Sequence, residues 1–371
     1  MSRWSLALAA LLAALPARGE PTPPGLKIAF LADQGSGASA SAVLELVRAE
    51  GADAVVHSGD FDYRDDPAAW EARIDSVLGA DFPYFASVGN HDAAAFYASG
   101  GYQERLEARM DRLGIAWSGD LGVQSTFTWK GIQFVMTGPD IFGPGDGFHD
   151  RYIRDRFSSS DAVWRISSWH KNQRDMQAGG KGNEAGWGVY EESRRAGAII
   201  ATGHEHSYSR THLLSGMQDK RVASSAQPLV LEADDPATPA DEGRSFAFVS
   251  GLGGKSIRSQ SVSGAWFASI HTSTQGAKSG ALFGVFHEGG DPRLASFSFK
   301  DVTGAVSDRF TVRSEVGVLA CGDEDADGIC DEEDDCSSDP AATRGVSGRA
   351  SARPGRTSSS GSPRPPRPSR C

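Results

Sequence analysis

No cysteine occurs in the first 320 of the 371 residues; all four, Cys321, Cys330, Cys336 and Cys371, fall in the last stretch. The main body of the chain therefore cannot depend on disulfides. Four late cysteines allow three pairings, and their spacing does not choose among them. Long apolar runs are also missing: the longest, from Trp4 to Leu15, is shorter than the roughly 20 residues that span a bilayer. It follows Arg3 and precedes the small residues Ala17 and Gly19, so residues 1–19 read as an export signal cleaved before Glu20 and not as an anchor. The location this implies is periplasmic, cell-surface or extracellular. Positive charge is short as well, with 37 Lys and Arg against 48 Asp and Glu, or −11, which argues against a nucleic-acid or anionic-membrane partner.

What is present is apolar content of 39%, enough for a full core in a chain of this length. From Leu26 to about Val312 short apolar runs alternate with helical patterns. Leu26 to Ala32, Ala52 to His57, Tyr84 to Val88, Ile132 to Met136, Val163 to Ser168 and Ala198 to Thr202 are predicted strands. Ser41 to Glu50 is a predicted helix stopped by Gly51, and Asp66 caps a second with Pro67 at its first position and Gly79 after it. A late group, Ser245 to Ser250, Ala281 to His287 and Leu294 to Lys300, has few helices between its members and reads as antiparallel. Together they predict one α/β domain, layered around one or two mixed sheets, over residues 20–320. Residues 321–336 then hold nine carboxylates and no base, and residues 337–371 are a low-complexity Ser, Arg, Pro and Gly tail with too little apolar surface to fold.

Five polar clusters each follow a predicted strand: Asp33 in "ADQG", Asp60 in "GDFDY", Asn90, His91 and Asp92 in "GNHD", His170 in "SSWHKN", and His204 and His206 in "TGHEH". In layered α/β proteins the loops at strand ends converge on a shared crevice. A lone histidine after a strand is more often a satisfied polar residue than a ligand. Five clusters in order are a different matter, because two aspartates, an asparagine and three histidines suit a pair of metal ions, with one carboxylate able to bridge them.

At these residues the chain resembles the calcineurin-like metallophosphoesterases, and within them the purple acid phosphatase branch. That branch has Asp-x-Gly where the wider family has Asp-x-His, and adds a tyrosine three residues after its bridging aspartate. Here the corresponding residues are Asp33-Gln34-Gly35 and Asp60-Phe61-Asp62-Tyr63. Ala32, where the branch often has glycine, is a departure. The resemblance covers roughly residues 26–313, includes the glycine-rich "SGLGGKS" after a late strand, and implies an α/β/β/α sandwich of two mixed sheets. It also implies two ions: Fe(III) on Asp33, Tyr63 and His206, and a divalent Fe, Zn or Mn on Asn90, His170 and His204, with Asp60 bridging. The implied reaction is hydrolysis of a phosphate monoester, a phosphorylated small molecule, by attack of metal-bound hydroxide, with His91 as proton donor and Asp92 orienting it. Two other readings stay open: a phosphodiesterase acting on nucleotides or phospholipids with the same core, and a non-catalytic module that binds phosphate.

Other residues carry weaker signals. Arg210, close after the last ligand, and His149, in the glycine-rich "GPGDGFHD", are candidates for substrate contact. The acidic segment fits a single calcium-binding repeat through Asp323, Asp325, Asp327, Asp331 and Asp334, against the plainer reading of a solvated linker.

Overall fold

A computed structural model describes residues 20–143, 145–235, 238 and 242–317. The export signal, the four cysteines, the acidic segment with its calcium candidates and the low-complexity tail lie outside the described residues.

The strand Leu26–Leu31 is buried at every position but Lys27, the mark of a strand covered on both faces. It pairs in parallel with Ala54–Ser58, which pairs in parallel with Tyr84–Ser87. On its other side it meets Gly280–Phe286 antiparallel, and Leu294–Asp301, Val306–Ser314 and Leu229–Leu231 complete a seven-stranded sheet. The helix Ala38–Ala49 begins three residues before the predicted Ser41, since Ala38, Ser39 and Ala40 continue the pattern back to an extended Gly37. Pro67–Leu78 forms as its caps predict: the Asp66 carboxylate accepts from the Ala69 N–H at 3.0 Å, and Gly79 ends it at φ 100°.

A second, eight-stranded sheet runs Phe267–His271, Tyr208–Thr211, Ala247–Ser250, Ile199–Thr202, Trp164–Ser168, Ile132–Thr137, Gln124–Trp129 and Trp117–Asp120. The two sheets pack face to face. Phe30 meets Phe248 edge-on with centroids 5.3 Å apart, Phe85 lies 5.3 Å from Phe134, and the Ser58 and Ser168 hydroxyls are 2.9 Å apart. Helices cover the outer faces: Trp70 packs on Tyr84 at 5.7 Å, and on the other side Ser193, in the helix Gly188–Arg195, donates to Ser167 at 2.8 Å. The result is the α/β/β/α sandwich. Among the described residues no helix is long and apolar enough to cross a membrane.

Several features depart from the sequence pattern, two of them near the site. Ala247–Ser250, expected among antiparallel strands, is parallel to Ile199–Thr202 and antiparallel only to Tyr208–Thr211. Strands Tyr208–Thr211 and Gln124–Trp129 were not predicted, because their polar sequences, YSRT and QSTFTW, hide the extended period.

Candidate metal centre

All five polar clusters leave the strand ends at the junction of the two sheets. Asp33, Asp60 and Asn90 follow adjacent parallel strands of the first sheet, and His170 and His204 follow adjacent parallel strands of the second. Glycine lets the loops touch. At Gly59 (φ 81°) a Cβ would lie 2.7 Å from Gly89 Cα, and at Gly89 it would lie 2.0 Å from the Asp60 nitrogen. Four ligand candidates are themselves left-handed: Asp33 at φ 57°, Asp60 at 60°, Tyr63 at 59° and His204 at 69°. Each such residue costs roughly 1–2 kcal/mol against a right-handed one. Strain of this kind persists where surrounding contacts over-determine it, and it gathers at functional sites.

The side chains form two groups. In the first, the Tyr63 hydroxyl lies 2.9 Å from Asp33 Oδ1 and 2.9 Å from His206 Nε2, with His206 Nε2 3.4 Å from the same Asp33 oxygen. His206 Nδ1 is 2.8 Å from the Ser256 hydroxyl. In the second, Asp60, His170 and His204 offer ligand atoms all within 4.8 Å of one another. His170 Nδ1 donates to the Ser58 carbonyl at 2.7 Å, which turns Nε2 toward Asp60 Oδ1 at 3.2 Å and His204 Nδ1 at 3.1 Å. Asp60 stands between the groups, since its charge acts on both Tyr63 and His170.

These residues fit a bound cation. Asp33 Oδ2 and Asn90 Oδ1 are buried with no hydrogen-bond partner, an arrangement costly to leave without a positive group. The electrostatics agree. Burial would push the His170 imidazole down, but Asp60 above all, and then Asp33, pull it up to about 9. Burial also pushes the Asp60 carboxyl up, yet His170 and the His91 N–H bring it below the usual carboxylate range. The pocket therefore holds enough negative charge to keep a cation in a fully buried place.

Three expectations change. Asp92 does not touch His91: its carboxylate accepts from the N–H groups of Asp60 and Phe61 at 2.8 Å and of Gly89 at 2.7 Å, tying two ligand loops together. Burial and then the Asp60 charge push its carboxyl up to about 8, against the pull of those N–H groups. Arg210 is turned into the molecule, because strand alternation aims it at the first sheet. Its Nε and Nη2 donate to Asp308 at 2.7 and 3.1 Å, its Nη1 to the Thr211 carbonyl at 3.2 Å, and its guanidinium lies 4.0 Å from the Phe310 ring centroid. Buried, with its fork held by Asp308, it is not free to bind a phosphate. His149 is buried at the start of the helix His149–Phe157 with Nε2 3.1 Å from the Phe142 carbonyl, so it lines the fold and not a substrate path. His91 itself is exposed, its ring 4.6 Å from that of Tyr63, and its N–H donates to Asp60 Oδ1 at 2.9 Å.

Sequence reading missed three residues that touch ligands. Ser256 sits in "SGLGGKS", a stretch singled out for its glycines alone; its neighbour Lys255 donates its N–H to the Asp33 carbonyl at 2.9 Å and holds its ammonium 4.3 Å from the Tyr63 ring centroid. Glu184, in the loop after His170, places Oε2 2.8 Å from His204 Nε2. No local pattern marks it.

The calcineurin-like phosphoesterase family model matches residues 26–208. Among solved structures, purple acid phosphatase PPD1 from yellow lupin (Lupinus luteus) seeds is similar with a TM-score of 0.57 at 16% identity, over 79% of this chain and 55% of the lupin chain. The chain thus spans about half the length of that relative. GAP50, the anchor in the inner membrane complex of Plasmodium, gives 0.49 at 12% identity over 80% of this chain and 90% of its own. A dimetal phosphatase from Danio rerio gives 0.44 at 10% identity over 79% and 100%. No curated protein sequence matches the chain. Since the family match takes in every metal-ligand candidate from Asp33 to His206, residues 26–208 carry a calcineurin-like phosphoesterase domain, that of metal-dependent hydrolases of phosphoric esters.

Proposed function

We propose that this chain is an exported, purple acid phosphatase-like phosphomonoesterase with two unlike metal ions. The observation that carries the reading is the Tyr63 hydroxyl, 2.9 Å from both Asp33 Oδ1 and His206 Nε2. Burial, and after it the charges of Asp33 and Asp60, hold that phenol well above its ordinary pKa. It would lose its proton to solvent only on binding a strongly Lewis-acidic cation, and a phenolate with a carboxylate would suit a hard trivalent ion such as Fe(III). On this reading Asp33, Tyr63 and His206 hold the iron, Asn90, His170 and His204 hold a divalent Fe, Zn or Mn, and Asp60 serves both.

Bound ions supply charge neutralisation for the ester and acidify water for attack at phosphorus. The protein's own residues orient and protonate. The Ser58 carbonyl fixes the tautomer of His170, and the Asp92 carboxylate fixes the two loops that carry Asp60 and Asn90. His91, exposed beside Tyr63, is the group placed to give a proton to the departing alkoxide. The run from Arg3 to Gly19 supports export.

Purified protein tests the reading through metal analysis, a visible spectrum, and turnover of an aryl phosphate monoester against its matched diester before and after chelation. The expected protein contains iron, is coloured when oxidised, prefers the monoester, and is inactive without metal. Tyr63→Phe should lose the colour and keep much of its iron through Asp33, Asp60 and His206. Iron-loaded wild type without a charge-transfer band, or a variant that keeps the band, removes Tyr63 from the ligand set. Faster diester turnover moves the assignment to a diesterase, and metal-loaded protein that binds phosphate without turnover makes it a binding module.

A further inference from the structure

We propose that Glu184 is a positioning residue for the second ion: its carboxylate holds the His204 ring so that Nδ1, and not Nε2, faces Asp60 and His170. The inference rests on the two-ion reading above. A neutral imidazole presents one nitrogen to a metal and donates from the other, and the partner of the second nitrogen decides which is which. In His204, Nδ1 lies 3.1 Å from His170 Nε2, on the side of the acidic pocket, while Nε2 lies 2.8 Å from Glu184 Oε2. Glu184 is therefore on the far edge of the ring from the ligand cluster; the 2.8 Å contact is not aligned as a hydrogen bond, and a small turn of the carboxylate would let it accept Nε2–H without competing for the ion.

Its own position is well set. The Glu184 N–H donates to the Asn172 carbonyl at 3.0 Å, and the Asn172 amide donates to the Gly203 carbonyl at 2.6 Å, so one residue ties the Glu184 loop to the strand end that carries His204. The other carboxylate oxygen lies 3.4 Å from Lys171 Nζ, which binds Asp140 Oδ2 at 2.9 Å. Glu184 does not read as a mere counter-charge for Lys171, which already has Asp140. An anion on Nε2–H also makes Nδ1 a stronger donor, and loss of such a partner typically costs about 10- to 100-fold in metal affinity.

The test is titration of the metal-free full-length protein with Zn(II), with bound zinc counted at equilibrium. Wild type should bind two ions. Glu184→Ala should weaken one of the two steps by about 10- to 100-fold and leave the other unchanged. Glu184→Gln, whose amide oxygen can still accept Nε2–H, should recover much of that loss; Lys171→Met should bind both ions as wild type does. Two unchanged steps in Glu184→Ala overturn the proposal, and so does an equal weakening of both steps accompanied by a lower melting temperature, which would make Glu184 a general folding residue. A Gln variant as weak as Ala overturns the orienting hydrogen bond. Wild type that takes up a single ion overturns the two-ion reading and this inference with it, an outcome distinct from two ions in wild type and in Glu184→Ala alike.

Discussion

The two halves of the metal centre are held by different means. Around His170 every support is interior: the ring is fully buried, Nδ1 donates to a backbone carbonyl of the opposite sheet at 2.7 Å, and Nε2 meets Asp60 at 3.2 Å. Around His206 the support is an exposed hydroxyl, Ser256, on the glycine-rich segment after Ala247–Ser250. A ligand anchored to a main-chain carbonyl cannot be loosened by changing the residue that anchors it. One anchored to a hydroxyl can, so the His206 half should be the adjustable half and the His170 half the rigid one.

The largest effect should follow from emptying the rigid half. In metal-free protein His170→Ala leaves the Asp60 carboxylate buried without its partner, and breaking a buried pair in this way costs about 3–5 kcal/mol. Urea unfolding of metal-free wild type and variant measures it, and coincident midpoints would show that the pair carries no stability. The same pair has a pH signature. With His170 raised to about 9, its contribution is fully present below the ordinary 6.5 and is lost as pH rises through 9. Burial lowers His204 to about 4 and His57 to about 3, which acts in the opposite sense: the unfolded chain takes up protons below 6.5 that the folded chain refuses, so stability falls as pH drops toward 4. Metal-free melting temperatures should therefore peak near pH 6.5 and fall toward both 4 and 9, and metal should remove the alkaline fall, since a ligating His170 carries no proton on Nε2.

A middle effect belongs to the tie between the halves. Asp92→Asn turns an amide N–H₂ toward at least one of the three backbone N–H groups that the carboxylate now satisfies, at a cost of roughly 1–3 kcal/mol. Because the loops of Asp60 and Asn90 shift together, both metal-binding steps should weaken, unlike Glu184→Ala. Unaltered stability and metal content in Asp92→Asn would dissolve the tie.

The smallest effect should come from the adjustable half. Ser256→Ala removes one hydrogen bond at an exposed position, worth about 0.5–1.5 kcal/mol, and should speed the loss of an ion bound beside His206 to a chelator without touching one beside His170. If that ion leaves Ser256→Ala and wild type at the same rate, the hydroxyl does not hold His206 and the contrast between the halves weakens.

Legibility followed the same division. The buried parallel strands announce themselves through continuous apolar runs such as LKIAFL and AVVHS, and each ligand cluster comes directly after one. YSRT does not, because it has no apolar run, and two of its buried side chains, Tyr208 and Arg210, find their partner Asp308 in the other sheet. Asp92 shows the same limit at shorter range. Next to a histidine it reads as that histidine's partner, yet its loop turns the carboxylate back toward the Asp60 N–H.

By itself the sequence determined the buried strands that precede the ligand clusters, the caps of the second helix, and the identity of the metal-ligand candidates, because all of these depend on residue type at fixed short spacing. Only the tertiary structure decided which atoms face one another. The Tyr63 hydroxyl meets His206 across 143 residues of chain, and the Ser58 carbonyl orients His170 across 112. Glu184 reaches His204 because the Asn172 contact folds one loop against another. Local pattern sets which face of a strand a side chain leaves from, whereas its direction beyond the strand end is set by left-handed turns and by backbone groups from a different sheet, which no short stretch of sequence contains.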